Sequence, residues 1–153
     1  MVARCSVTWS EAGGIAAQAN AIGERAVELA HTDGHVWESA LAALRDAEAG
    51  DGIDPKRSFA LERKLEAAAA APLEIASLGA DAAALAAVAG EHGEATYRGD
   101  AAVAAALAAG GAAAAAHLVR VNLGVRPTDP RLARALASEQ AAQDVAARLL
   151  ERR

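Results

Sequence analysis

Apolar and small residues recur along this chain at intervals of three and four, the spacing that gives a helix one apolar face. The most regular run extends from about residue 15 to residue 47. Its apolar face forms a seam, the line of positions expected to pack against other helices, at Ile15, Ala19, Ile22, Ala26, Leu29, Val36, Ala40, Leu44 and Ala47. Asp33 is the one seam position that carries a charge. No segment shows the alternating pattern of a strand. The pattern therefore predicts an all-α fold.

Glycine and proline mark the ends of the predicted helices. The breaks fall at Gly13–Gly14, at residues 50–55, between residues 90 and 99, and between residues 124 and 130. Asp54–Pro55 and Asp129–Pro130 each pair an N-cap residue with a proline at the first helical position. Asp100 is predicted to cap a further helix. We expect a single domain, residues 1–153, folded as a bundle of about four to five helices.

Pro72 interrupts the helical run that begins at Pro55. The seam positions Leu61 and Leu65 lie before the proline, and a seam resumes after it at Ile75. Because the register survives, the sequence predicts one long helix kinked at Pro72 rather than two separate helices.

Composition limits the partners of the chain. Alanine fills 47 of 153 positions and only 3% of residues are aromatic, which favours closely packed helices. The net charge of -5 argues against a nucleic-acid partner. The apolar run 101–119 is mostly alanine and glycine, which insert poorly into lipid, so we expect a buried helix and no membrane partner.

Cysteine usage and the N-terminal residues bear on the compartment. Cys5 is the single cysteine, which excludes an internal disulfide and is compatible with a reducing compartment. No long apolar run follows Arg4, so a signal peptide is not predicted. We expect a cytoplasmic protein.

Asp33 is the first candidate for chemistry, because a carboxylate on an apolar helix face loses hydration unless a partner compensates. One hypothesis makes it a substrate-anchoring or acid/base group with a pKa shifted by burial. The other makes it a hydrated or arginine-paired packing residue. His31 and His35 lie one helical turn apart but lack a third ligand, so no metal site is expected.

Other polar residues allow two interpretations each. Asn122 lies between apolar neighbours, so its amide either caps a helix end or contacts a ligand. A basic cluster on the third run is either a solvated face or a site for an anionic ligand tail. The cluster consists of Lys56, Arg57, Arg63 and Lys64.

Four stretches occur in an order that resembles the cyclodeaminase/cyclohydrolase family. This is the all-helical folate-handling domain of formiminotransferase-cyclodeaminases and of a class of methenyltetrahydrofolate cyclohydrolases. The stretches are residues 28–33 followed by Trp37, residues 69–76 around the kink proline, residues 98–102, and residues 119–123. The resemblance covers nearly the whole chain.

The resemblance implies a homodimer of helical bundles that binds a reduced folate as substrate and needs no other cofactor. A cyclodeaminase, a lyase, closes N10 of 5-formiminotetrahydrofolate onto the formimino carbon and releases ammonia. A cyclohydrolase adds water to the methenyl bridge. At the matching positions, Asp33 is the acid/base or pterin-contacting carboxylate, and Asp100 and Asn122 help to form the pocket. From charge alone, Arg63 or Lys56 is predicted to meet the glutamate tail.

The chain departs from the family at two places. The family begins with a Pro-Thr-Pro-Gly-Gly-Gly-Ser stretch that lines the folate site; here it is lacking, and residues 1–4 match the end of that first helix. Gly93–Glu94 stands where the family has Gly-Asn. Two explanations stay open: a gene start placed too late, or a degenerate, non-catalytic helical dimer of the same scaffold, with or without folate binding. A third hypothesis, an unrelated four-helix interaction module, does not predict a kink at Pro72.

Overall fold

The computed structural model describes residues 1–5, 9–48, 54–124 and 126–151. The helices are α1 (Val2–Cys5), α2 (Ala12–Glu48), α3 (Pro55–Ala68), α4 (Ala70–His92), α5 (Arg98–Asn122) and α6 (Pro130–Glu151), with a short 3₁₀ turn at Ala95–Tyr97. These ranges contain no strand. The predicted all-α bundle is confirmed. Most of the break predicted at residues 50–55 lies outside the described residues.

Two of the predicted helix caps form as expected. The Asp54 carboxylate accepts a hydrogen bond of 2.9 Å from the backbone N–H of Lys56 at the start of α3. The Asp129 carboxylate accepts one of 2.9 Å from the backbone N–H of Arg131 at the start of α6. Each bond satisfies an N–H group that has no partner within its helix.

The prediction that Asp100 caps a helix is wrong. Helix α5 begins two residues earlier, at Arg98, and the residue in the cap position is Tyr97. Because the preceding 3₁₀ turn runs directly into α5, Asp100 falls inside the first helical turn. A carboxylate there is favoured by the positive end of the helix dipole rather than by a cap hydrogen bond.

Helix α2 also begins earlier than the sequence indicated. Its first residue is Ala12, whose backbone N–H donates to the Trp9 carbonyl at 3.1 Å. Gly13 and Gly14 therefore lie within the first turn and do not form a break. A glycine lowers the stability of a helix by only about 1 kcal/mol relative to alanine, so a helix of 37 residues tolerates Gly13 and Gly14 in its first turn.

The predicted long helix with a bend is confirmed, and the structure locates the bend. Helix α3 ends at Ala68, Ala69 is a turn residue, and α4 begins at Ala70. In an unbroken helix the backbone N–H at position 72 would donate to the Ala68 carbonyl, but Pro72 has no N–H. The helical hydrogen bonds are therefore interrupted in the turn before the proline.

Helices α4, α5 and α6 form an alanine-lined core. Its buried cluster consists of Ala83, Ala86, Ala105, Ala109, Ala112, Ala142, Val145 and Ala146. At Gly79, an added Cβ would lie 2.9 Å from the Ala112 Cβ and 3.0 Å from the Ala108 carbonyl oxygen. Small side chains thus let the axes of α4 and α5 approach closely, as the composition predicted.

Helix α2 packs along α3 and α4 through one face. Two ion pairs fix its antiparallel direction: Arg25 Nε lies 2.7 Å from Glu74 Oε1, and Arg57 Nε lies 4.0 Å from Asp46 Oδ2. Only Ala12, Leu29 and Ala40 are buried along the whole helix. The other sides of α2 face solvent in the single chain.

Two segments are long and apolar enough to cross a membrane, Pro55–His92 and Ala95–Asn122. Core helices of soluble proteins pass the same test, and both segments contribute buried residues to the bundle. The expectation of no membrane partner therefore stays a prediction.

Candidate functional site

Asp33 lies on the packing face of α2, as the seam predicted. Leu29, one turn before it, and Ala40, two turns after it, are buried on the same face. The Asp33 side chain is half-buried, and this burial raises the pKa of its carboxyl group. Among the described residues, no ion pair or hydrogen bond offsets the desolvation. The arginine-paired alternative is therefore not supported within the ranges that the structure covers.

The ion pairs between α2 and the α3–α4 pair show which residues lie opposite Asp33 along the length of the bundle. Arg25 lies beside Glu74, and Asp46 lies beside Arg57. Interpolation along the antiparallel helices places Asp33 opposite about residues 67–70. The carboxylate is therefore level with the bend that Pro72 causes.

Asn122 reaches the same bend from α5. Its side-chain Nδ2 donates a hydrogen bond of 2.9 Å to the Ala68 carbonyl. Asn122 is 6% exposed and is the one buried polar side chain among the described residues. Asn122 and Asp33 thus lie at one level of the bundle, on two different helices. The Asn122 amide has a structural role there, whether or not it also contacts a ligand.

Asp100 lies at the other end of α5. It is separated from Asn122 by 22 residues of one continuous helix, which is about 33 Å at the usual rise. Its end of α5 packs on the end of α4, where an added Cβ at Gly90 would lie 3.2 Å from the Ala101 Cβ. A single chain therefore does not bring Asp100 and Asn122 into one pocket.

Lys56 and Arg63 lie on α3, and both are exposed. They are seven residues apart and so share one face of the helix. The face toward α2 carries Arg57, which pairs with Asp46. Lys56 and Arg63 therefore point away from the helix that carries Asp33, and the Arg63 guanidinium lies 3.4 Å from Glu66.

The sequence did not reveal an ion network beside the bend. The Arg131 guanidinium lies 2.8 Å from the Asp129 carboxylate and 3.4 Å from the Glu66 carboxylate, and it donates to the Glu66 carbonyl at 3.1 Å. Arg126 lies 3.7 Å from Glu66. The hydrogen bonds from Arg131 lower the pKa of Asp129 to about 2. The network connects the start of α6 to the end of α3. The one feature of the sequence that indicates part of it is an arginine two residues after the capping aspartate.

A cavity of about 360 Å³ lies between α1, α2, α4 and α5. Its lining is largely apolar and includes Val2, Ile15, Leu85 and Ala104, with Asn20 as a polar member. None of the predicted site residues lines it.

Within the described ranges, no group of three histidine, cysteine or carboxylate side chains is placed to hold a metal ion. His31 and His35 are both exposed. The prediction that the protein needs no metal stays a prediction.

A family model described as formiminotransferase-cyclodeaminase matches residues 2–142. No curated protein and no solved structure matches the chain. The matched range includes Asp33, the bend at Ala69, Asp100 and Asn122. Since the match spans well over half of the sequence, this all-helical chain belongs to the formiminotransferase-cyclodeaminase family.

Proposed function

We propose that the protein is an enzyme that acts on a one-carbon derivative of tetrahydrofolate, as a formiminotetrahydrofolate cyclodeaminase or a methenyltetrahydrofolate cyclohydrolase. Family membership supports the substrate class. The observation that carries the proposal is Asp33, a half-buried carboxylate whose pKa is raised by burial and which lies on an apolar helix face. Perturbed carboxylates of this kind are common among acid/base groups.

The cyclodeaminase reaction requires two proton transfers. N10 attacks the carbon of the protonated formimino group, N5–CH=NH2+, and a C–N10 bond forms as the second bond of C=N breaks, so N10 must lose its proton. The former formimino nitrogen must gain a proton before it leaves as ammonia. Asp33 takes the first proton and returns it to the leaving nitrogen. A carboxyl pKa closer to neutral pH helps both steps, because the protonated and ionised forms of the group then differ less in free energy at that pH.

The cyclohydrolase reaction uses the same group in a simpler way. Water adds to the methenyl carbon as the second bond of its C=N unit breaks, and Asp33 accepts the proton that the water loses. The bond from this carbon to N5 then breaks, Asp33 returns the proton to N5, and the hydroxyl group loses its proton to solvent as the 10-formyl product forms. Asn122 contacts the pterin or the one-carbon unit in this proposal, and Asp100, about 33 Å away along α5, can do so only from the second copy of the proposed homodimer. Lys56 and Arg63 remain the predicted contacts of the glutamate tail, and a bound tail would have to cross α3 to reach them. No cofactor besides the folate substrate is required, and a cytoplasmic homodimer is the proposed working form.

The alternative is a non-catalytic helical dimer of the same scaffold, with or without folate binding. One observation favours it: the Asn122 amide already donates to the Ala68 carbonyl, so at least one of its donors serves the scaffold rather than a ligand. The two hypotheses differ in turnover and share the fold.

Turnover distinguishes them directly. Purified, folded protein is incubated with 5-formiminotetrahydrofolate and, separately, with methenyltetrahydrofolate, while the methenyl absorbance is followed. The proposal expects the absorbance to rise with the first substrate or to fall with the second, faster than in a protein-free sample. Rates equal to the protein-free rates for both substrates would contradict it. A folate titration without turnover would then separate a binding scaffold from one that does not bind folate.

A further inference from the structure

Beyond the bend, the second half of α2 and most of α3 form a helix pair, called here the arm. The arm consists of residues 35–48 of α2 and residues 55–67 of α3. Its two helices are joined by Arg57, which donates to the Asp46 carbonyl at 3.2 Å and lies 4.0 Å from the Asp46 carboxylate. Ala40, on the packing face of α2, is 1% exposed. The two helices of the arm therefore form one body.

The arm is held to the rest of the bundle by little buried surface. Ala40 is the one buried residue among its described positions, whereas α4 buries seven residues and α5 buries nine. Ion pairs connect the arm to the start of α6 and the residues before it. Arg126 lies 3.9 Å from Glu62 and 3.7 Å from Glu66, and Arg131 lies 3.4 Å from Glu66. Partly exposed ion pairs of this kind contribute little each and weaken in salt. The arm is thus a low-stability part of the fold.

Both helices can change direction at the level where the arm begins. On one side, the helical hydrogen bonds are interrupted between Ala68 and Pro72. On the other side, Gly34 directly follows Asp33, and an added Cβ at Gly34 would meet nothing within 4 Å. Glycine lowers the cost of changing the backbone angles of a helix, and helix bends concentrate at proline and glycine. Since Asp33 lies opposite about residues 67–70, the two flexible points are level with each other, as a hinge through two helices requires.

We propose that the arm turns as a unit about a hinge formed by Gly34 and the bend at residues 68–72, and that this turn opens and closes the space in front of Asp33. The half-buried Asp33 carboxylate is covered when the arm is closed and accessible to a ligand when the arm is open. Closure of a rigid unit about a few residues is a common way to admit a ligand and then exclude water. The hinge itself does not depend on the proposed function; only its role in admitting the folate substrate rests on it.

The part of α2 before the hinge is fixed to the core. Arg25 Nε lies 2.7 Å from Glu74 Oε1, and Leu29 is 5% exposed. The next ion pair along α2 with a neighbouring helix is that of Asp46 with Arg57, inside the arm. Among the described residues, the hinge therefore lies between two well-anchored levels of α2, at the one level where the helix carries a charge without a partner.

Helix geometry sets the size of the motion. Arg45 lies eleven residues beyond Gly34, which is about 16 Å along the helix. A turn of about 15° displaces Arg45 by about 4 Å, and it displaces Glu62, seven residues before Ala69, by about 3 Å. A shift of 3 Å separates the Glu62 carboxylate from Arg126. The ion pairs between the arm and residues 126–131 therefore act as a latch that holds the closed arrangement.

Distances between spin labels test the hinge without reference to activity. Labels at Arg45→Cys on the arm and Asp81→Cys on α4, in a Cys5→Ser background, lie about 35 Å apart along the bundle. Labels at Arg98→Cys and Arg134→Cys join two core helices and serve as the reference pair. We expect the arm distances to be spread more widely than the reference distances, by about 4 Å. An arm distribution as narrow as the reference distribution would overturn the proposal.

Two glycine variants test the position of the hinge. Gly34 and Gly23 both lie within α2, and an added Cβ meets nothing within 4 Å at either position. Gly34→Ala should narrow the arm distances, because alanine restricts the backbone at the hinge, and the control Gly23→Ala should leave them unchanged. Glu66→Gln, which weakens the latch, should widen them. Circular dichroism verifies that each variant folds. Equal narrowing by both glycine variants, or none by Gly34→Ala, would overturn a hinge at Gly34.

A cross-link through the latch tests the role of the hinge in turnover. Glu62→Cys and Arg126→Cys are combined in the Cys5→Ser background and joined by a short bis-maleimide; the same protein treated with a mono-maleimide is the control. The cross-linked protein should lose turnover by roughly tenfold or more, because the arm cannot open for the substrate, and the control should retain it. Equal turnover of the two would overturn the gating of Asp33.

The hinge and the proposed enzyme can fail separately. Wide arm distances that narrow with Gly34→Ala, in a wild-type protein without turnover, would support the hinge and refute the proposed enzyme. Turnover by a wild-type protein with narrow arm distances would support the enzyme and refute the hinge.

Discussion

The side-chain amide of Asn122 donates a hydrogen bond of 2.9 Å to the carbonyl of Ala68, the carbonyl that Pro72 cannot serve. The proline and the asparagine therefore act together at the bend. The proline opens the helical hydrogen bonds, and the asparagine, from another helix, satisfies the acceptor that is left over. The bend beside Asp33 is held in this way.

This arrangement predicts an energetic coupling between Pro72 and Asn122. Asn122→Ala should lower the free energy of unfolding by about 1–3 kcal/mol, because the buried Ala68 carbonyl loses its donor. In a Pro72→Ala background, the restored backbone N–H can serve that carbonyl, so Asn122→Ala should cost less there. Urea unfolding of the four proteins measures the coupling. Val145→Ala, in the core on α6, should cost the same in both backgrounds. An Asn122→Ala cost that is independent of Pro72 would contradict the coupling.

Asp33 should reduce stability at neutral pH. Its folded-state pKa is raised by burial above the ordinary value of 3.8, so the folded protein binds the proton more tightly than the unfolded chain. The free energy of unfolding should therefore fall as pH rises from about 3.8 through the raised pKa. Asp33→Asn should remove this loss and melt at a higher temperature at pH 7, with no gain below pH 3.8. A variant that melts lower at pH 7 would show that the Asp33 carboxylate is stabilised by a partner.

Asp129 should show the opposite pH dependence. Hydrogen bonds from Arg131 lower its pKa from 3.8 to about 2, so its contribution to stability is full above pH 3.8 and disappears as pH falls to about 2. Asp129→Asn keeps a good N-cap but removes the charge. The variant should melt lower than wild type at pH 6, and the difference should vanish near pH 2. A difference that persists at low pH would assign the effect to the cap rather than to the charge.

Gly79 should tolerate no larger side chain. Gly79→Ala would place a Cβ 2.9 Å from the Ala112 Cβ and separate α4 from α5, at a packing cost of about 1–3 kcal/mol. The gain in helix propensity, about 1 kcal/mol, offsets only part of this cost. Gly23→Ala is the matched control: an added Cβ meets nothing within 4 Å there, so it should be stabilising. Denaturant midpoints of the two variants should move in opposite directions, and an equal gain in both would contradict the close contact.

The parts of the fold that depend on neighbouring residues could be predicted from the sequence. Asp54 and Asp129 cap their helices because capping involves residues only two positions apart. Asp33 was found because the helical period makes a charged seam position stand out. The cap at Asp100 was predicted wrongly, because the 3₁₀ turn before α5 extends the helical backbone beyond the aspartate.

The long-range parts could not be predicted in the same way. Asn122 and Ala68 are 54 positions apart, and nothing local indicates their hydrogen bond. Arg131 reaches Glu66 across 65 positions. The separation of Asp100 from Asn122 was, however, implicit in the sequence, since both were placed on one continuous helix whose length follows from its rise per residue.

The role proposed for Asp33 is to carry the proton transfers of a folate one-carbon reaction. Its most direct test is the rate of methenyl absorbance change for wild type, Asp33→Asn and the control Asp81→Asn, which alters an exposed carboxylate on α4. We expect enzymatic turnover by wild type and Asp81→Asn, and a fall in kcat of about a hundredfold or more for Asp33→Asn with KM little changed. An Asp33→Asn protein that turns over at the wild-type rate would contradict it.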